Sequence, residues 1–160
     1  MKKKIGLALG RYQPLHYGHI YLMEIAFQEN DEVVICIGSA QKADPLPIEE
    51  RHRRVEQQLL LIGKKSYRIV DLVDPEVMEI WPGYVRSVCS ISKETENTFY
   101  RADHDLDART LEDLGRESFN VKIVPRITFP YRAPNGLYYP VNSATDIKRI
   151  HRELGLDHLL

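Results

Sequence analysis

Residues 10–19 read GRYQPLHYGH and follow directly on the apolar run IGLALG, which begins at Ile5. A short continuous apolar run closed by a turn signal is the pattern of a strand buried on both faces. Gly10 lets the chain leave that strand sharply, and Pro14 keeps the loop from starting a helix early. The segment that follows, HIYLMEIAFQEN, sets Ile20, Met23 and Phe27 on one helical face. Buried strand, tight loop and amphipathic helix are the first half of a strand–helix–strand unit. If the remaining chain repeats that unit, the sheet is parallel.

The chain repeats it. EVVICIGS (Glu32–Ser39) reads as a second doubly buried strand. After AQKADPL, the stretch PIEERHRRVEQQLLLIG forms a helix with Pro47 in its first turn, Val55, Leu59 and Ile62 inward, and Gly63 at its end. SYRIVDLV is a third strand, and WPGYVRSVCSI a third helix with Tyr84, Val85 and Val88 inward. TFYRA (Thr98–Ala102) is a fourth strand, LDARTLEDLG a short helix closed by Gly115, and FNVKIVP (Phe119–Pro125) a fifth strand. The last helix opens at SATD, where Ser143 and Asp146 fit a capping box, and continues through Ile147, Ile150 and Leu154. This alternation predicts an α/β fold, a Rossmann-like, doubly wound parallel sheet of about five strands. No repeat, low-complexity tract or linker interrupts the 160 residues, so 1–160 reads as a single domain.

In such sheets ligands sit beyond the carboxyl ends of the strands, where strand order reverses. GRYQPLHYGH, GSAQKADP, DPEVMEIW, ADHD and RITFPYRAPNGLYYPVNS fall there. The last contains Pro134-Asn135-Gly136, which is turn chemistry, and is read as either a lid or a hairpin.

Lys and Arg number 22 against 23 Asp and Glu, for a net charge of −1, so no global basic field recruits nucleic acid or an anionic membrane. A polyanionic ligand must be met by local clusters. No apolar run approaches the roughly 20 residues of a membrane-spanning helix, and MKKKIGLALG reads as a first strand, not a signal peptide. Cys36 and Cys89 lack CxxC spacing and read as buried thiols in a reducing cytoplasm, with little claim to a disulfide or metal site.

In the first loop His16 and His19 stand about one turn apart at the start of a helix, where unpaired N–H groups favour an anion. Gly18 allows close approach there, and Arg11 adds a permanently charged planar fork. Together they form a phosphate cradle made of side chains, distinct from a glycine-rich GxxxxGK[ST] loop, which is absent. Zinc fits poorly, because the His-to-His step is three and no third ligand is near. A plain surface loop is the bland alternative.

GRYQPLHYGH resembles the G-R-F-Q-P-F-H-x-G-H signature of the nucleotidyltransferase superfamily, and its Arg-Tyr-Gln-Pro is most similar to the archaeal-type nicotinamide-nucleotide adenylyltransferases. IGSAQ (Ile37–Gln41), EERHR and NSATDIKR resemble further motifs of that branch. The resemblance implies catalytic roles for Arg11, His16, His19 and Lys148. It implies nucleotide contacts from Gly10, Gly18, Ser39, Arg51, Asp74, Trp81, Ser143, Thr145 and Arg149 as well. The sequence departs from the branch in two places. Lys148, followed by Arg149, stands where the family has arginine, and Val77 and Met78 occupy asparagine positions between Asp74 and Trp81. Read from the residues alone, Trp81 is a core residue or a stacking platform, Asp74 a cap or a contact, and Arg51 a phosphate ligand or part of a solvated face.

The chain carries no recognisable activated nucleophile, which suits a reaction in which a phosphate attacks. The family reading implies that nicotinamide mononucleotide attacks the α-phosphorus of ATP to give NAD⁺ and pyrophosphate. It implies Mg²⁺ carried by ATP and pyrophosphate with no protein metal ligands, and a homo-oligomer. Alternatives are a sister nucleotidyltransferase with another phosphorylated acceptor, such as phosphopantetheine, and a non-catalytic nucleotide sensor.

Overall fold

The strand Glu32–Ile37 is fully buried from Val33 onward. Val33, Ile35 and Ile37 enter one apolar cluster while Val34 and Cys36 enter another. Because successive side chains of a strand point to opposite faces, two clusters on one strand mean a sheet covered on both sides. The computed structural model describes residues 1–38, 46–73, 81–102 and 108–160, the side chains of 81 and 108–110 excepted.

In chain order the elements are β1 (Lys4–Gly10), α1 (Tyr17–Glu29), β2 (Glu32–Ile37), α2 (Ile48–Leu61), β3 (Tyr67–Asp71), α3 (Trp81–Val88), β4 (Glu96–Ala102), α4 (Ala108–Arg116), β5 (Phe119–Val124), β6 (Phe129–Arg132), β7 (Tyr138–Val141) and α5 (Ala144–Glu153), followed by a 3₁₀ turn at Asp157–Leu159. The five-stranded sheet is parallel throughout, in the order β3-β2-β1-β4-β5. The expected α/β class and five parallel strands are both present. Helices α1 and α2 cover one face through Ile20, Met23, Ala26, Val55 and Leu59. Val85 of α3 and Leu114 of α4 cover the other. Burying each such aliphatic side chain is worth roughly 1.5–3 kcal/mol.

From β1 the chain winds outward to β2 and β3, then returns to β4 on the other side of β1 and moves to β5. The reversal lies between β1 and β4. Their carboxyl ends are Gly10 and Ala102, so the GRYQPLHYGH loop leaves the sheet at the switch point.

Several local readings need correction. Gly115 does not close α4, which runs to Arg116; the left-handed residue beyond it is Ser118 (φ 62°). Val88 is 40% exposed, and Cys89 takes the buried position expected of it. Pro47 is the residue before α2, not within its first turn. Segment 126–141 forms a hairpin, in which β6 pairs antiparallel with β7 across a turn where Gly136 takes φ 83°. The thiols of Cys36 and Cys89 are free and fully buried, with Sγ atoms 2.9 Å apart. Among the described residues no helix is long and apolar enough to cross a membrane.

Candidate active site

A cavity of about 680 Å³ opens where β1 and β4 end. Its floor is the GRYQPLHYGH loop, with Gly10, Arg11, Tyr12, Gln13, His16, Gly18 and His19 on its surface. One wall is the start of α5, from Asn142 to Thr145 and then Lys148; the other includes Arg101 of β4 and Arg126, just past β5. Four cationic side chains thus border one space, and Asp113 is the single carboxylate among the described residues lining it.

The loop is folded tightly enough to fix the two imidazoles. Tyr12 (φ 54°) turns back over the strand, and its hydroxyl donates to the Ala8 carbonyl at 3.1 Å. A Cβ on Gly10 would lie 2.9 Å from the Tyr12 ring, so glycine is needed here for room and not for an unusual φ. His16 caps α1 in extended conformation, and its N–H donates to Nδ1 of His19 at 3.2 Å. A ring nitrogen that accepts carries no proton, which leaves the neutral His19 ring its N–H at Nε2. The two rings stack at 3.7 Å between centroids, and Tyr12 meets His19 edge-on at 4.8 Å.

Burial pushes the His16 imidazole down to about 4, helped by the positive charge of Arg126. Burial, then His16, then Arg126 push His19 well below the ordinary histidine range. Both rings are therefore neutral near pH 7, able to donate one N–H each without adding charge. Two helix N-termini, those of α1 and α5, meet the same cavity. On α5 half of the expected capping box forms: Ser143 Oγ accepts from Asp146 N–H at 3.2 Å, whereas Asp146 Oδ2 accepts from the N–H of Asn142, one residue before the cap, at 3.0 Å. Two positive dipole ends, neutral donors and four cations are the attributes of a polyphosphate site.

Gly10, Arg11, His16, Gly18, His19, Ser143, Thr145 and Lys148 are brought together on this cavity. Arg149 is not among them; its guanidinium lies in solvent, 3.7 Å from Asp146 and 3.5 Å from Glu153. A helical step of about 100° separates neighbours, so Lys148 and Arg149 cannot share one wall. Arg51 lies neither in the cavity lining nor on a solvated face. It is fully buried, with Nε donating to the Leu46 carbonyl at 3.0 Å and Nη1 to the carbonyls of Arg11 (3.0 Å) and Gly38 (2.9 Å). Its position braces the first loop against the end of β2. Ser39, Asp74 and the Trp81 side chain lie outside the described residues.

Arg101 and Arg126 were not singled out in the sequence. Their position could have found them, since one lies at the end of β4 and the other directly after β5.

Gly18 carries a testable consequence. A Cβ there would meet His16 Cε1 at 2.9 Å and Nδ1 at 3.0 Å. Gly18→Ala gains about 1 kcal/mol of helix propensity but must push the His16 ring aside. It is expected to lower turnover about tenfold or more while leaving Tm within a few degrees, since small misplacements of reacting groups are costly. Steady-state kinetics beside thermal unfolding checks this.

Residues 7–150 match the model of the cytidylyltransferase-like family. The chain belongs to that family. Among curated relatives of this cytidylyltransferase-like chain, the nicotinamide-nucleotide adenylyltransferase of Thermococcus onnurineus is 40% identical over 90 residues, 53% of this chain and 48% of the relative. The chain spans about half the length of the curated relatives it matches. Among solved structures, a bifunctional NMN adenylyltransferase/ADP-ribose pyrophosphatase from Francisella tularensis covers 94% of this chain and 42% of its own, at 20% identity and a TM-score of 0.73. The same enzyme complexed with AMP and a manganese ion has a TM-score of 0.68 at 22% identity. These two likenesses speak for the fold alone.

Proposed function

We propose that this protein joins nicotinamide mononucleotide to ATP, giving NAD⁺ and pyrophosphate. The observation that carries the reading is the neutral, stacked His16–His19 pair at the switch point, in one cavity with Arg11, Arg101, Arg126 and Lys148. The names of the curated relatives supply the acceptor.

In the reaction an oxygen of the acceptor's 5′-phosphate forms a bond to the α-phosphorus of ATP. The bond from that phosphorus to the bridging oxygen breaks, and pyrophosphate leaves with both bonding electrons. No protein nucleophile is needed. The His19 Nε2–H donates to an α-phosphate oxygen as charge accumulates, with His16 beside it on the triphosphate. Arg11 and Lys148, with Arg126 opposite, offset the charge of the departing pyrophosphate. Placing the two reactants in line supplies on the order of 7–11 kcal/mol. We extend to this chain the Mg²⁺ carried on the triphosphate that the family resemblance implies; among the described residues lining the cavity the one carboxylate, Asp113, pairs with Arg116 at 3.1 Å. We likewise extend to it the homo-oligomer that the family resemblance implies and the reducing, cytoplasmic setting expected from the spacing of Cys36 and Cys89.

Pyrophosphate release with a panel of acceptors tests the reading. Release with nicotinamide or nicotinate mononucleotide supports it. Release only with another phosphorylated acceptor selects a sister transferase, and nucleotide binding without release selects a sensor.

The α5 wall separates its two adjacent cations. Lys148→Ala is expected to raise KM for ATP about tenfold or more, the weight of one charge-assisted contact. Arg149→Ala, already engaged in solvent by Asp146 and Glu153, should stay within about twofold of wild type. Steady-state kinetics of both variants decides which cation works.

A further inference from the structure

The parallel sheet does not account for everything that touches the imidazole pair. His16 is stacked on one face by His19 and packs against Phe129, whose ring centroid lies 5.3 Å away at 25°. Phe129 opens β6, on the hairpin that stands outside the main sheet. It is 5% exposed and shares an apolar cluster with Ala133, Val141, Ile147 and Ile150. Ile147 and Ile150 flank Lys148 on α5. One ring therefore touches the histidine at the start of α1 and the core of the unit that carries the cationic wall.

We propose that Phe129 is a positioning residue: its ring fixes His16, and through it His19, in the stacked arrangement, and ties the α1 side of the cavity to the α5 side. Phe129, His16, His19 and Tyr12 form a continuous ladder of four rings. Without its outer member His16 can swing away from His19, and water reaches the ring. A flat aromatic surface is what the position requires, since stacked rings hold each other's orientation and a branched aliphatic chain does not. The Gly18 surface completes the slot, because a Cβ there would also lie 3.4 Å from Phe129 Cε1.

Among the described residues, the titratable and charged groups that border the pair or its cavity are His19 and Tyr21 on α1, Tyr12 and Arg11 on the first loop, Arg101 at the end of β4, Asp113 on α4, Arg126 after β5 and Lys148 on α5. The charged members are cationic except Asp113, and burial is the largest influence holding the His16 ring neutral, so admitting water is the change that most raises its proton affinity. This inference rests on the proposed adenylyl transfer for its kinetic arm only.

The test uses the full chain with Phe129→Leu, which keeps apolar bulk, and Phe129→Tyr, which keeps the flat ring. The first measurement is an NMR titration of the His16 and His19 imidazoles in nucleotide-free protein. Wild type and Phe129→Tyr should keep His16 neutral to well below pH 6, whereas Phe129→Leu should titrate His16 about one pH unit higher or more. The second is kinetics: Phe129→Leu should lower kcat about tenfold with KM for ATP changed less than about threefold, and Phe129→Tyr should restore kcat. Should Phe129→Leu not fold, Phe129→Met replaces it in both measurements. The proposal is overturned if the aliphatic variant titrates as wild type, if its kcat is unchanged, or if Leu and Tyr depress kcat alike. Because the titration needs no turnover, a wild-type protein that releases no pyrophosphate sinks the adenylyl-transfer reading and leaves the ring-ladder result standing.

Discussion

His19→Ala is expected to lower turnover about a hundredfold or more while the fold persists. The size follows from the role: a donor aimed at charge that develops only in the transition state is worth roughly 3–4 kcal/mol in the comparable case of oxyanion-hole deletions. The persistence follows from the packing. His19 is only partly buried at the head of α1, and its ring takes part in the hydrogen bond that Nδ1 accepts from His16 N–H. Losing a bond of that kind costs about 1 kcal/mol. Two milder variants divide the ring's duties. In His19→Asn the amide falls near the position of Nδ1 and can still cap the helix, so stability should match wild type while turnover stays as low as in alanine. In His19→Gln the amide nitrogen falls near Nε2, and part of the activity should return. Turnover measured beside thermal unfolding for the three variants separates the donor from the cap. Near-normal turnover in the alanine variant would remove His19 from the chemistry.

Arg51→Ala is expected to act on stability first. Its guanidinium joins three carbonyls, those of Leu46, Arg11 and Gly38, with no solvent access. Truncation leaves buried acceptors unsatisfied at about 1–3 kcal/mol each. Even a loss of about 3 kcal/mol lowers Tm by roughly 6–12 °C in a chain of this size. Because two of those carbonyls belong to the first loop and the residue after β2, activity should fall as a consequence of the loosened loop. A phosphate-ligand role predicts the reverse, an unchanged Tm with weaker ATP binding. Differential scanning calorimetry together with KM for ATP distinguishes them.

The sheet was legible because its signal is redundant. Continuous apolar strands such as VVICI and helices with one apolar stripe repeat along the chain, and parallel pairing follows from the alternation. The site was legible at its centre for a similar reason, since Arg11, His16, Gly18 and His19 crowd one short loop. Ser143 and Asp146 were readable as a cap because capping is local chemistry. What escaped notice depends on tertiary packing. Arg51 sits in an arginine-rich helix, and nothing local says that its side chain turns inward to three carbonyls while Arg53 pairs with Glu50 in solvent. Lys148 and Arg149 are adjacent in sequence, and only the docking of α5 through Ile147 and Ile150 decides which faces the cavity. Gly115 looked like a helix stop because glycine often is one, yet α4 continues through it to Arg116. Arg126 and Phe129 lie in a segment whose hairpin was one of two readings, and their meeting with the imidazoles depends on how that hairpin packs.

The central claim is that the cavity beside β1 and β4 holds a nucleoside triphosphate so that an acceptor phosphate displaces pyrophosphate from its α-phosphorus. The most direct measurement incubates the protein, Mg²⁺ and nicotinamide mononucleotide with ATP labelled either on the α- or on the γ-phosphate. The α-label should appear in the dinucleotide and the γ-label in pyrophosphate, both lost together in His19→Ala. Appearance of the γ-label in free phosphate, or an α-label that never leaves ATP with any phosphorylated acceptor, would contradict it.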